Sequence, residues 1–322
     1  MEDDIIYKII ILLFINLIIS PIATPNLSYN NNKNTSKSLY NTTTKVSTIS
    51  KSPKAVNLKY TSSKPVYTSV NLNFNKPVII AHRAASGVAP ENSIPAIDEA
   101  AKIGYWGVEL DVCSSSDGVL YLLHDGTLDR TTNGHGPISS KTSKEIDKLV
   151  INTGANISNY PNLKLPRFED ALLECKKYNL TPVFDIKLLS NKTRDLNTML
   201  RIINKHQYSR KLLIHAFNYK DLEYLRQKNK RLILMPMVNP NKKLYGYRYI
   251  KSFKSTELDC NIDYLNKGLI EKAHKDGLKV FCWTIDNPRE LNRALNLGVD
   301  FIYSDKFNPK DINTYYRPKT IR

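Results

Sequence analysis

From residue 78 onward the chain alternates short apolar runs with helix-length segments. Eight runs have the length and composition of strands: 78–81, 107–112, 119–123, 182–186, 212–217, 232–237, 280–284 and 301–304. Between them lie helical stretches at 94–103, 167–178, 196–207, 219–228, 266–277 and 288–297. Strands that are apolar on both faces and alternate with helices predict a parallel sheet covered on both sides. Eight such units predict a closed (β/α)8 TIM barrel, whose usual size of about 250 residues fits this chain. A ninth short candidate, 258–262, is read as a loop or distorted strand because Glu257 and Asp259 interrupt it.

Two regions depart from the alternation. Residues 126–163 are rich in Gly, Thr, Ser and Asn and too long for an ordinary strand–helix connection. They predict a small insertion after strand three that covers the site. Residues 26–70 are Asn, Ser, Thr and Lys with few large apolar groups, a composition that cannot offset the entropy cost of folding. They are read as a disordered N-terminal tail. Ahead of it, an apolar stretch at 9–19 is followed by Ser20, Pro21 and Ala23. It is short for a membrane span, while three acids beside Lys8 and the lack of an A-x-A site make it an imperfect signal peptide. The expected organisation is a signal peptide or membrane anchor at 1–25, a spacer at 26–70 and a barrel domain at 71–322. The expected location is secreted, or anchored on the outer face of the membrane.

Charge adds a hint about partners. The chain carries 47 Lys and Arg against 30 Asp and Glu, a net of +17. Residues 26–69 hold seven lysines and no acid, and the first 25 residues carry net −2, which leaves +12 on residues 70–322. Such a domain suits anionic partners. They include small phosphate esters, and an anionic cell-envelope polymer or membrane surface met through the basic tail. A Lys-rich coding bias explains the excess equally well. No basic helix interleaved with aromatics is present, which argues against specific nucleic-acid binding. The four cysteines, Cys113, Cys175, Cys260 and Cys282, are far apart with no CxxC spacing, so they read as buried free thiols.

The chemistry gathers at strand ends. His82 follows the first run, Glu109 and Asp111 lie in the second, His124 follows the third, and Asp185 and Lys187 end the fourth. Barrels keep their active sites at the C-terminal ends of strands. Residues i and i+2 of a strand share a face, so Glu109 and Asp111 can grip one ion. With Asp185 they make a hard oxygen site suited to Ca2+ or Mg2+, and no Cys or paired-His pattern invites zinc. Such an ion would bind phosphate oxygens and acidify a bound water or hydroxyl. Two histidines can then divide the proton transfers, and Arg83 and Lys187 would neutralise the phosphate. A lone strand-end histidine is ordinarily structural; it is the ordered set that argues for catalysis. Asn92 either caps the helix that begins at Ile94 or touches substrate. His135 and His215 are read as structural or loop residues, and Tyr105 and Trp106 as packing beneath the barrel.

These segments resemble the glycerophosphodiester phosphodiesterases. The resemblance is carried by HRAASGVAPENS, GVELDV, DGVLYLLHDGTLDRTTNGHG, FDIK, VFCWTIDN and GVDFIYSD, and spans about residues 77–307. It implies a TIM barrel that cleaves glycerophosphodiesters to glycerol 3-phosphate and an alcohol. It also implies a divalent metal on Glu109, Asp111 and Asp185, with His82 and His124 as acid and base. Arg83 and Lys187 match phosphate-facing positions, and Trp283 a substrate-lining aromatic. Two positions depart from the family pattern. Ala84 stands where most members have Gly, and its methyl could narrow the pocket or shift the loop. Asp185 stands where Glu is usual, which either draws the metal toward that strand or leaves a water between them. An Asp there is reminiscent of the sphingomyelinase D enzymes, which are not expected to carry the HDGTLDRTTNGHG segment.

The leading reading is therefore a metal-dependent phosphodiesterase, attacking with water or through a cyclic phosphate formed by the substrate's own hydroxyl. A lysophospholipase D or sphingomyelinase D-like enzyme would need an apolar channel, for which Leu188, Leu189, Phe217, Met235 and Met237 are candidates. A surface binding protein on the same barrel, without turnover, is the alternative from another class. All five acid, base and metal positions being filled speaks against it.

Overall fold

The computed structural model describes residues 70–238, 250, 253 and 255–316. The export or anchor segment, and the spacer up to residue 69, lie outside the described residues. Nine strands are found among those described: β1 Val78–Ala81, β2 Gly107–Ser114, β3 Leu120–Leu122, β4 Thr181–Leu188, β5 Leu213–Ala216, β6 Ile233–Val238, β7 Glu257–Asn261, β8 Lys279–Trp283 and β9 Phe301–Ser304. The helices are α1 Ile94–Ile103, α2 Ser143–Ile146, α3 Phe168–Tyr178, α4 Lys192–Lys205, α5 Tyr219–Lys228, α6 Lys267–Lys275, α7 Pro288–Leu297 and α8 Asp311–Tyr315. Eight strands run parallel in the order β1-β9-β8-β7-β6-β5-β4-β2, and pairing of Ala81 with Val108 closes the ring. The fold is a (β/α)8 TIM barrel.

Two strand assignments change. The run at 119–123 is not a barrel strand: β3 folds back antiparallel on β2, with Val112 opposite Leu122 and Ser114 opposite Leu120. Asp117-Gly118 makes the turn, with Gly118 at φ 87°, and a Gly after an Asp is a strong short-range hairpin signal. The vacated place in the ring belongs to β7, the segment read as a loop. Its acids are buried and partnered: Glu257 accepts from Ser255 Oγ at 3.0 Å, and Asp259 binds His215 from inside the barrel. A charge does not break a strand when its carboxylate has a partner. The insertion consequently follows the second barrel strand, not the third. It has a small core of its own, built on Tyr121, Leu123, Leu128, Ile138, Ile146 and Ile151.

Strand parity divides the side chains. Ile79, Leu110, Phe184, Ile214, Leu234, Leu258, Val280 and Ile302 point outward into the core shared with the helices. Their neighbours Ile80, Val183, Leu213, Met235, Phe281, Phe301 and Tyr303 fill the barrel interior. Trp106, just before β2, packs on Phe301 and Phe74 and plugs the bottom. The helices are set by their caps. Ser93 caps α1 by accepting from Ala96 N at 3.2 Å, and Gly104 ends it at φ 92°. Helix α4 begins four residues before the sequence-based start, because Asn191 caps it by accepting from Arg194 N at 3.1 Å. All four cysteines are buried free thiols. No helix among the described residues is long and apolar enough to cross a membrane.

Candidate active site

The inward parity that fills the barrel with apolar groups changes chemistry one layer higher. There the strands present Glu109 and Asp111 from β2, Asp185 and Lys187 from β4, His215 from β5, Met237 from β6, Asp259 from β7 and Trp283 from β8. A cleft of about 260 Å³ opens above this layer, lined by His82, Arg83, Glu109, His124, Asp185, Lys187, His215, Phe217, Trp283 and Tyr303, among others. Phe217 stands edge-on to Trp283 at 5.9 Å and is 46% exposed, so it forms an apolar lip on one side.

His82 and His124 enter the cleft in the same way. His82 Nδ1 lies 2.9 Å from Asp305 Oδ1, and His124 Nδ1 lies 2.7 Å from Asp125 Oδ1. An ionised carboxylate only accepts, so each Nδ1 carries the hydrogen and each Nε2 is left as the working nitrogen. Burial works to lower the pKa of His82, but the hydrogen bond to Asp305 and the charge of Glu109 more than offset it and raise the imidazole. Asp305 lies at about 2, because its bonds with His82 and Ser86 outweigh burial. Gly87 packs against the Asp305 carbonyl so closely that no Cβ fits. On the His124 side, Arg130 Nε donates to Asp125 Oδ2 at 2.6 Å, and its Nη atoms donate to Glu91 at 2.8 and 2.9 Å. Glu91 also accepts from Arg83 Nη1 at 3.1 Å. One acidic side chain thus ties the His82 loop to the insertion.

Asn92, expected either to cap α1 or to touch substrate, is not the cap. The cap is Ser93, and Asn92 is buried away from the cleft. Its Nδ2 donates to Asp111 Oδ2 at 2.7 Å and its Oδ1 accepts from Asp111 N at 3.0 Å, a two-point clasp on that carboxylate's residue. Asp111 is fully buried, with Lys187 Nζ 3.2 Å from its Oδ1 and Arg83 Nε 3.7 Å from its Oδ2. Burial works to raise its pKa, but Lys187, His124 and Asn92 prevail and hold it low. Lys187 also contacts Asp185. Ala84 does not narrow the cleft: it is fully buried with a left-handed φ of 60°, beside Arg83 at 52°. Both positive φ values swing the loop so that Arg83 N donates to Glu109 Oε2 at 2.9 Å.

Glu109, Asp185 and His215 each offer a ligand atom, all within 4.8 Å of one another and all buried. Asp111 is not in this group. Asp111 Oδ1, Asp185 Oδ1 and His215 Nε2 are all buried with no hydrogen-bond partner, as atoms awaiting a cation would be. The donor set therefore fits a divalent ion. His215 Nδ1 is held at 2.6 Å by Asp259 Oδ2. Burial lowers the His215 pKa, yet Asp185, Asp259 and Glu109 outweigh it and hold the free imidazole up at about 10. Sequence reasoning missed His215, Asp259 and Asp305. Parity was the available signal for the first two, since His215 sits two residues before Phe217 and Asp259 lies inside a strand dismissed for its charge.

Residues 82–308 match the glycerophosphoryl diester phosphodiesterase family. The chain belongs to this family. It is accordingly an enzyme of the phosphoric diester hydrolase class. It is 29% identical over 248 residues to a glycerophosphodiester phosphodiesterase of Caldanaerobacter subterraneus, covering 71% of this chain and 94% of that protein. Human glycerophosphodiester phosphodiesterase 1 is 43% identical over 137 residues, 40% of this chain and 41% of that one. A phosphodiesterase of Oleispira antarctica, solved with its product sn-glycerol-3-phosphate, superposes with a TM-score of 0.68 over 74% of this chain and 96% of that one. Its identity of 24% makes this a likeness of fold.

Proposed function

We propose that the chain hydrolyses glycerophosphodiesters to glycerol 3-phosphate and an alcohol, using a divalent cation and the His82–His124 pair. The observation that carries this reading is the matched orientation of the two histidines, each tied through Nδ1 to a carboxylate and each lining one cleft. Glu109 and Asp185 hold the ion, which when bound would draw charge from the phosphate and acidify an attacking water or hydroxyl. Arg83 and Lys187 line the same cleft and offset the charge of the phosphodiester. Asp111, clasped by Asn92, holds Lys187 in place beside the ion. One histidine takes a proton from the nucleophile at Nε2, and the other returns one to the departing alkoxide. Trp283 and Phe217 form the wall against which the glycerol or alcohol group lies.

A second reading, hydrolysis of lysophospholipids, is favoured by one feature: Leu188 and Phe217 are both exposed large apolar residues, and Phe217 lines the cleft. Of the other channel candidates, Met237 lines the cleft too, whereas Met235 is buried inside the barrel and Leu189 packs on the outer core. The test is release of glycerol 3-phosphate from glycerophosphocholine by the full chain, after EDTA and again with added divalent ion. Metal-restored release that is lost in His82→Ala and in Glu109→Ala is the expected result. Choline release from lysophosphatidylcholine, with none from glycerophosphocholine, would replace the first reading by the second. The apolar stretch at 9–19 supports action outside the cytoplasm, and the seven spacer lysines support contact with an anionic envelope polymer or membrane.

A further inference from the structure

Two carboxylates alone do not decide which ion this cleft takes; the imidazole that faces them does. We propose that His215 is a metal ligand through Nε2, with Asp259 as its positioning carboxylate, so that the site prefers a first-row transition ion such as Mn2+ or Zn2+ over Ca2+. The inference rests on the metal-dependent reading above and names the third donor of that site.

His215 pairs with Asp185 in the β4–β5 register, on the inward face of the barrel. Its Nδ1 is held by Asp259 Oδ2 at 2.6 Å from β7, across the interior. Because that carboxylate only accepts, Nδ1 carries a hydrogen in either protonation state, and an ion at Nε2 would take the place of the second proton. Nε2 is buried and lacks a hydrogen-bond partner. It stands 3.8 Å from Glu109 Oε1 and 3.8 Å from Asp185 Oδ2, too far for a hydrogen bond to either. Two donors about 2.1 Å from a common ion lie roughly 3–3.5 Å apart, so small shifts would seat one. A carboxylate behind a ligating imidazole is the usual way to fix such a nitrogen. Asp111, the other acid of its strand pair, gives Oδ2 to Asn92, while its Oδ1, 3.2 Å from Lys187 Nζ and without a hydrogen bond, remains a further oxygen donor beside the imidazole. Calcium takes six to eight oxygens, whereas an imidazole nitrogen among carboxylates suits the transition ions.

The deciding measurement is electron spin-echo envelope modulation on the metal-stripped full chain reloaded with one equivalent of Mn2+. The wild type should show a directly bound 14N that His215→Ser loses and His82→Asn keeps. Calorimetry should find Mn2+ and Zn2+ bound more tightly than Ca2+, a preference that shrinks in His215→Ser. Asp259→Asn should weaken Mn2+ binding about 10- to 100-fold while keeping the nitrogen coupling. Mn2+ bound without 14N coupling, or coupling that survives His215→Ser, overturns the proposal. If His215→Ser fails to fold by circular dichroism, unchanged Mn2+ affinity in Asp259→Asn overturns it instead. Metal-dependent glycerol 3-phosphate release without 14N coupling would remove the ligand and keep the functional reading. Coupling without hydrolysis of any glycerophosphodiester would do the reverse, and failure to bind any of these ions removes both.

Discussion

At the scale of single residues, each working group owes its role to one neighbour. His82 and His124 face the cleft with Nε2 because Asp305 and Asp125 hold Nδ1. Removing either imidazole should lower kcat about 10²–10⁴-fold with Mn2+ affinity retained, read by steady-state kinetics beside calorimetry. Asp305→Asn should cost less than His82→Ala, since the imidazole remains but its tautomer is no longer fixed. Equal losses in the two variants would give Asp305 a larger part than orientation. Ala84 supplies a stability test. An L-residue with a left-handed φ of 60° carries a penalty of about 1–2 kcal/mol, which Gly relieves while adding unfolded-chain entropy and losing a buried methyl. Ala84→Gly should therefore raise the free energy of urea unfolding by no more than about 1 kcal/mol, and a fall would show that the methyl outweighs the backbone. The acids and histidines of the first four runs were legible because each is a polar residue in or beside an apolar strand. His215 was not, because a lone histidine within a run reads as core until the partners across the barrel are known.

At the scale of elements, the exchange of β3 for β7 explains where sequence reasoning runs out. Both are short, and length and hydropathy favoured the wrong one. Deciding between them needs the tertiary fact that Glu257 and Asp259 find partners. Helices α1, α5 and α7 were legible to the residue because Ser or Asn caps and Gly or Asn stops bracket them. The insertion was recognised as an excursion from its composition, but its attachment was not. Arg130 joins it to the barrel by holding both Asp125 and Glu91. Asp125 sits at about 2, below its ordinary value, chiefly through Arg130 with a smaller part from His124. A carboxyl depressed on folding stabilises the fold above its unfolded pKa of about 3.9, and that contribution fades as pH falls through 2. Arg130→Gln should thus be less stable than the wild type at pH 6, by up to about 1 kcal/mol for so exposed a pair. The difference should vanish near pH 2, and a gap independent of pH in denaturant titrations would mean that Arg130 acts by packing.

At the scale of the whole molecule, the barrel buries more carboxylates than side-chain cations, an imbalance that the ion of the proposed function would settle. Its interior holds the carboxylates of Glu109, Asp111, Asp185 and Asp259, faced by the cations Lys187 and Arg83 and by the His215 ring. Carboxylates that crowd one another away from water destabilise the fold they occupy, and a site built for an ion is commonly a weak point without it. An ion that binds only the folded state stabilises it by about 2.7 kcal/mol at a hundred times its Kd. For a domain of this size that corresponds to a rise in Tm on the order of 5–10 °C. Calorimetric scans of the full chain should accordingly show Tm climbing with the logarithm of added Mn2+ and falling back with EDTA. Glu109→Gln removes one of the crowded charges, so it should melt higher than the wild type in EDTA and gain little from Mn2+. A Glu109→Gln protein that melts lower in EDTA would instead make that carboxylate, which accepts Arg83 N at 2.9 Å, a structural tie of the His82 loop rather than a charge held in wait for an ion.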